Sequence, residues 1–329
     1  MNFERNELNK NSQGGTERMM EGLYSRIDPE LMSKFQIIPS RVRELKDDKI
    51  RIYWLHDLPG DPETNHLKDK WSRDRFHKIV YCGNWQMSQY QGQLNIPHDQ
   101  KTCVLETATT PMPWQAKSKE EVRLVYTSTP QRGLEILIPV FEELCKTHDN
   151  IVLDVFSSFK IYGWDDYDKQ FEPLYERCRQ HPKINYHGFA PNTVVRETVQ
   201  KAHILAYPSI WLECNSASII EAMSAGVMCV HPNYGGLVDT SGSLTTMYNW
   251  DKDVNTHANI FYSVMDQAIR TVNEDQVQNY LKFVKEYADT RYSWNKIAAQ
   301  WTGLLTQLAD TYKDKDISVP SQFVTFKTS

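Results

Sequence analysis

Long apolar runs are missing from this sequence of 329 residues. None approaches the roughly 18 residues needed to span a bilayer. The opening stretch, MNFERNELNKNSQGGTERMM, is too polar for a secretory signal. These absences predict a soluble, cytoplasmic protein. Cysteine is sparse. Cys82, Cys103, Cys145, Cys178, Cys214 and Cys229 form no C-x-x-C pair and no Cys/His cluster with zinc spacing, so they read as reduced thiols. Basic excess is also lacking: 37 Lys and Arg face 42 Asp and Glu, a net charge of −5. Bulk charge therefore does not mark a polyanion binder. No G-x-G-x-x-G follows a strand-like run, and no solenoid-type period is visible.

What is present is alternation. The chain is long for one core and comfortable for two domains. Residues 14–110 alternate helix-like and strand-like stretches. QGGTERMMEGLYSRI has helical spacing with Thr16 as a candidate N-cap. KFQIIPS, KIRIYWL, HKIVYCGN and KTCVLET read as strands. A Pro- and Thr-rich stretch at 108–121 reads as a linker. A second alternation follows, with strands in VRLVYTS, NIVLDVFSS, INYHGF, HILAYPS and VMCVHPN. Two helical stretches remain after residue 255, and the last residues form a tail. The pattern predicts an α/β protein with two doubly wound parallel-sheet domains, 1–115 and 116–305, and a tail at 306–329. The last helix of the second domain would pack back on the first.

Open α/β sheets bind ligands where strand ends lead into helices. Glu213 and Glu221 flank such a place, in YPSIWLECNSASIIEAMSAG. Asn215, Ser216, Ala217 and Ser218 would leave the helix start approachable, and free amides there suit an anion. Glu221 could accept hydrogen bonds from a ribose diol, with Glu213 facing a hydroxylated group at the other end. Hexose, diphosphate and ribose would fit that layout. A plainer alternative leaves Glu221 a solvated acid near a helix start. Arg132, before Gly133, could grip a diphosphate bidentately, or could be a surface cation. Gly14 and Gly15 would let backbone approach a ligand, or simply loosen a loop. His56 ends a strand, where it could hydrogen-bond or transfer a proton, or serve structure alone.

Together these residues resemble the retaining GT-B glycosyltransferases of family four, also described as glycosyl transferases group 1. The motif reads Glu213-CNSASII-Glu221, followed by AMSAG, VMCVHPNYGG and Asp239. YHGFAPNTVVRETVQKAHILAYPS resembles that family's base-binding segment and TSTPQRGLEILIPVF its phosphate-binding segment. SQGGTERMMEGL resembles its glycine loop, and YSWNKIAAQW its closing helix. The likeness spans most of residues 13–305. It implies two Rossmann-like domains facing a cleft and transfer of a sugar from a nucleotide-diphosphate sugar, a UDP-sugar, to an acceptor hydroxyl with retention. No metal ion or other cofactor would be needed. Glu213 would contact the donor sugar with His56 beside it, and Glu221 would hold the ribose. Arg132, Asn215, Ser216, Ala217 and Ser218 would bind the diphosphate, with Gly14 and Gly15 closing on it. Gly188, Phe189 and Ala190 would line the base.

Two departures stand out. Thr127 occupies the place of a usual Arg, with Arg132 in the place of Lys, and the N-terminal domain is short. The compact form resembles phage and marine-type variants. That leaves open an enzyme acting on hydroxymethylated DNA bases, for which Lys68, Lys70, Arg73, Arg75 and Lys78 would form a local basic patch. The acceptor could otherwise be a glycan or lipid. Three other readings are a nicotinamide or flavin enzyme, a metal-dependent GT-A transferase using DDYD at 165–168, and a non-catalytic nucleotide-sugar binder. The oligomeric state is not encoded in any motif.

Overall fold

The computed structural model describes residues 12–318. The polar segment 1–11 and the end of the expected tail, 319–329, lie outside the described residues. The chain divides into two compact units. One comprises the chain through Ala108 together with everything from Trp294 onward, and the other is Thr109–Ser293.

In the first unit, β1 (Phe35–Pro39), β2 (Ile50–Leu55), β3 (Lys78–Tyr81) and β4 (Thr102–Val104) pair in that order, all parallel. Every residue of β2 is buried, because both faces of the sheet are covered. Ile52 and Trp54 join one core with Met19, Met20 and Leu23 of helix Gly15–Tyr24 and Ile297, Trp301 and Leu305 of helix Trp294–Tyr312. Tyr53 and Leu55 join the opposite core with Phe76, Ile79, Tyr81 and Tyr90. Trp301 seats the last helix edge-on against Trp54, ring centroids 4.8 Å apart. Gly22 lets Trp294 lie down on the first helix, since a Cβ there would be 2.1 Å from the indole.

Local details depart from expectation. Gly14, not Thr16, is the N-cap of the first helix, and no side chain caps it. No helix links β1 to β2. The intervening SRVRELKDDK lacks an apolar stripe, and its backbone is held by side chains instead. The Gln36 amide donates to Glu44 O (2.8 Å) and accepts from Lys46 N (2.9 Å), while the Arg51 guanidinium donates to Lys46 O and Lys49 O (2.8 and 3.0 Å).

The second unit contains β5 (Val122–Thr127), β6 (Ile151–Phe156), β7 (Ile184–Tyr186), β8 (Ile204–Ala206), β9 (Met228–Pro232) and β10 (Thr246–Tyr248). All are parallel, in the order β10-β9-β8-β5-β6-β7. The chain winds outward from β5 through β6 and β7, then returns to add β8 on β5's other side. The gap between the loops after β5 and β8 is therefore the topological switch point. Three helices follow β10: Val254–Thr271, Asp275–Tyr292 and Trp294–Tyr312. The expected second stretch breaks at Ser293, whose extended backbone (ψ 141°) ends one helix before the next begins.

Both sheets use the same device to start their central strands. His77 Nδ1 accepts from Arg51 N at 2.9 Å, and His203 Nδ1 accepts from Arg123 N at 3.0 Å. Each histidine amide returns a bond to the same arginine's carbonyl, at 2.8 and 2.7 Å. The acceptor role requires neutral imidazole.

Candidate functional site

Six loops leave the carboxyl ends of the second unit's strands, and the sequence-derived candidates of that unit sit on three of them or on the helix that follows. After β5, a one-turn 3-10 segment, Pro130–Arg132, presents Arg132 just before helix Leu134–Leu144. Gly133 makes the join at φ 117°, in the region that favours glycine. A Cβ there would lie 2.1 Å from Pro208 O, so glycine is what lets the loops after β5 and β8 touch.

The loop after β8 carries Glu213, only 5% exposed. Its Oε1 accepts from the Tyr207 phenol at 2.6 Å and lies 3.4 Å from Arg132 Nη1. Burial disfavours the Arg132 cation, but the facing Glu213 carboxylate and the Tyr162, Tyr207 and Tyr126 hydroxyls outweigh it and hold its pKa above the ordinary value. Burial, then the Glu213 charge, pushes the Tyr207 phenol well up, so it remains a donor. Arg132 Nε is buried with no acceptor, as is the nearby Thr129 Oγ1. Orphaned polar atoms of this kind call for a partner.

Helix Ala217–Ser224 begins three residues after Cys214, with Ser216 as N-cap accepting from Ile219 N. Ser216's own amide donates to Thr240 Oγ1 (3.3 Å). Of the amides expected to face an anion, Ser216's is therefore taken, while the first-turn amides of Ala217 and Ser218 have no intrahelical acceptor. Ser218 Oγ donates to Thr127 O at 2.7 Å, so the residue in place of a usual Arg contributes a carbonyl that steadies this turn. The loop after β9 backs the arrangement. Gly236 N donates to Glu213 O at 2.8 Å, and a Cβ on Gly236 would come within 2.4 Å of Cys214 O.

Glu221, 7% exposed, is not solvated. Its Oε1 lies 3.3 Å from Arg196 Nη1, and Arg196 also donates to Thr109 Oγ1 (3.3 Å) and Thr110 O (2.6 Å). After β7 come Gly188, at φ 60°, Phe189, 38% exposed, and Ala190, partly buried. Asp239 sits 3.4 Å from Arg291 Nη2. Tyr207 and Arg196, which hold the two acids, escaped the sequence reading. Neither falls at the motif's spacing, and only the fold brings them 6 and 25 residues along the chain to their partners.

Gly14, Gly15 and His56 belong to the first unit. Gly15 has a normal φ, and a Cβ there would meet nothing within 4 Å, so the fold itself does not require glycine at this position. His56 directly follows β2, beside Trp54 (4.6 Å) and Cys82, whose Sγ is 3.5 Å from Nδ1. Burial lowers its pKa to about 3. His56 is therefore neutral near pH 7, a hydrogen-bonding group whose charge does not titrate there.

Residues 113–248 match the family described as Glycosyl transferases group 1. That stretch resembles a group 1 glycosyltransferase domain. No curated protein matches the sequence. Among solved structures, a glycosyltransferase from Rickettsia africae superposes with TM-score 0.64 at 14% identity, covering 92% of this chain and 84% of its own. HepE of Anabaena, solved with UDP and glucose, gives 0.58 at 17% identity, over 79% and 72% of the two chains. Sucrose-phosphate synthase of Thermosynechococcus elongatus gives 0.59 at 15%, over 80% and 69%. These likenesses establish a GT-B fold, with two Rossmann-like parallel-sheet units.

The matched stretch contains Glu213, Glu221, Arg132 and the Gly188 loop. Residues that other readings used are engaged elsewhere. In DDYD, Asp168 is occupied by Ser158 Oγ (2.5 Å), Phe159 N (2.8 Å) and Tyr175 OH (2.7 Å), and Asp166 pairs with Lys169 (2.7 Å). These contacts hold a 3-10 segment in place. The basic patch of the first unit is also engaged internally. Lys70 pairs with Asp74 (2.5 Å), Lys78 donates to Gln100 O (2.7 Å), Arg73 donates to Leu67 O and Lys68 O (2.7 and 2.8 Å), and Arg75 is buried. Among the described residues, no helix is long and apolar enough to cross a membrane.

Proposed function

We propose that this protein is a glycosyltransferase that moves a sugar from a UDP-sugar to an acceptor hydroxyl with retention of configuration and without a metal ion. The observation that carries the reading is the Arg132–Glu213 pair at the switch point (3.4 Å), with a guanidinium Nε that has no acceptor. A cation and an acid there match the two ends of a sugar diphosphate. The matched family and the UDP and glucose bound by the Anabaena protein support the same assignment.

In this reading the diphosphate rests on Arg132 and the first-turn amides of Ala217 and Ser218. Glu221 accepts the ribose hydroxyls, and Gly188, Phe189 and Ala190 line the base. Asn215 and Ser216 shape the turn between. Glu213 holds the transferred sugar and supports positive charge developing at its anomeric carbon. The bond from that carbon to the diphosphate breaks as the acceptor oxygen bonds on the same face, and the acceptor's proton passes to the departing diphosphate. Fixed donors aimed at charge that grows in the transition state are the main protein contribution.

The test is hydrolysis and transfer from UDP-glucose, followed by NMR of the anomeric proton, with and without chelator. Retained configuration and undiminished turnover in chelator are expected. Glu213→Gln should lower kcat about 100- to 1,000-fold, the scale of losing one preorganised electrostatic group. An inverted product, strict metal dependence, or full activity in Glu213→Gln would overturn the proposal. UDP-glucose binding without any turnover would make the protein a non-catalytic binder.

A further inference from the structure

We infer that Tyr207 is a positioning residue for sugar transfer, fixing the rotamer of Glu213 so that its second carboxylate oxygen faces the donor sugar. The inference rests on the glycosyltransferase reading and assigns a part of the machinery outside the two-acid motif.

The geometry is asymmetric. Both contacts to the Glu213 side chain fall on Oε1: the Tyr207 hydroxyl at 2.6 Å and Arg132 Nη1 at 3.4 Å. Among the described residues, nothing donates to Oε2. A carboxylate held by one oxygen keeps the other for a ligand. Left to Arg132 alone, the natural geometry is a fork in which the guanidinium meets both oxygens. The phenol opposes that. It occupies Oε1 from the sheet side, and the long Nη1 distance shows that the fork has not closed.

Tyr207 is itself held firmly. It follows β8 directly, is buried at 1% exposure, and its amide donates to Val230 O at 3.0 Å. Its carbonyl accepts from Ser209 N at 2.8 Å. The ring lies 6.0 Å from that of Tyr126, whose hydroxyl donates to Thr129 O at 2.9 Å in the Arg132 loop. Gly133 packs on Pro208 O, the next carbonyl after Tyr207. The hydroxyl therefore approaches Glu213 from a fixed point. A residue that only filled space would leave the acid free to rotate, and the sugar would lose its fixed acceptor.

The two ligand halves should thus separate on substitution. Tyr207→Phe keeps the ring and removes the hydroxyl. UDP affinity by calorimetry should stay within about twofold of wild type, and kcat for UDP-glucose hydrolysis should fall about 10- to 100-fold, the scale of losing one preorganised contact. Tyr248→Phe is the control. Tyr248 is also buried and hydrogen-bonded, to His257 Nε2 at 2.7 Å, and should leave kcat unchanged. In a Glu213→Gln background, Tyr207→Phe should add little further loss, because the two act as one unit. If wild type hydrolyses UDP-glucose and Tyr207→Phe retains its kcat, the positioning role is wrong and the transferase reading stands. A parallel loss of UDP affinity and kcat, or losses that multiply with Glu213→Gln, would reduce Tyr207 to a structural residue. If wild type neither binds UDP nor hydrolyses the sugar nucleotide, both readings fall.

Discussion

Arg132→Ala weakens UDP binding about 10- to 100-fold, because it removes charge-assisted hydrogen bonds to the diphosphate worth about 1.5–3 kcal/mol. The same change leaves Glu213 buried with only the Tyr207 hydroxyl on its carboxylate, so a stability loss on the order of 1–3 kcal/mol accompanies it. Calorimetric titration with UDP and a thermal melt separate the two effects. Arg132→Lys restores the charge without the fork and recovers part of the affinity. An Arg132→Ala protein that melts normally and binds UDP as tightly as wild type would remove this residue from the phosphate site.

Acidification should unfold the protein between roughly pH 4 and 5. Burial lowers the pKa of His56 to about 3, and of His66, His77 and His231 to about 4. In the unfolded chain each returns to about 6.5. The sign follows directly. Between those values the unfolded state binds protons that the native state refuses, so stability is complete above the unfolded pKa and falls with pH. Each histidine contributes a loss on the order of 1.4 kcal/mol per pH unit. Four such groups together outrun a typical total stability of about 5–15 kcal/mol. Asp57, whose pKa burial raises, acts in the opposite direction, as one group against four. Melting temperature against pH checks this, with a steep fall beginning near pH 6 as the expected result. A flat profile down to pH 4 would mean that these imidazoles protonate without cost. His77 is the most exacting case, since a proton on Nδ1 would evict Arg51 N from its acceptor.

Much of the fold could be read from the sequence because buried parallel strands are short apolar runs. Ile50–Leu55 appears intact in KIRIYWL, and all six of its residues are buried. Thr246–Tyr248 was not anticipated: it is a three-residue edge strand with only Tyr248 buried, too little pattern to stand out. The break at Ser293 was hidden because YSWNKIAAQW keeps helical spacing across a single extended residue. Thr16 is a good capping residue that lies inside its helix because Gly14 takes the cap. At the site, the sequence exposed the two acids and Arg132 through their spacing and their place at strand ends. Their partners were not legible. Tyr207 reads as one more strand aromatic, Arg196 as a solvated helix cation and Thr240 as a loop hydroxyl, until the switch point brings the strand ends together. Nor does anything local announce that the Ser216 amide is taken by Thr240 Oγ1.

The central claim is that the carboxyl-end loops of the second sheet seat a nucleoside diphosphate. A crystal structure of the protein with UDP tests it most directly. The account predicts phosphate oxygens within hydrogen-bond distance of Arg132 and of the Ala217 and Ser218 amides, with the ribose hydroxyls on Glu221. UDP bound at another place, or Arg132 still facing Glu213 with no phosphate between the β5 and β8 loops in crystals saturated with UDP, would contradict it.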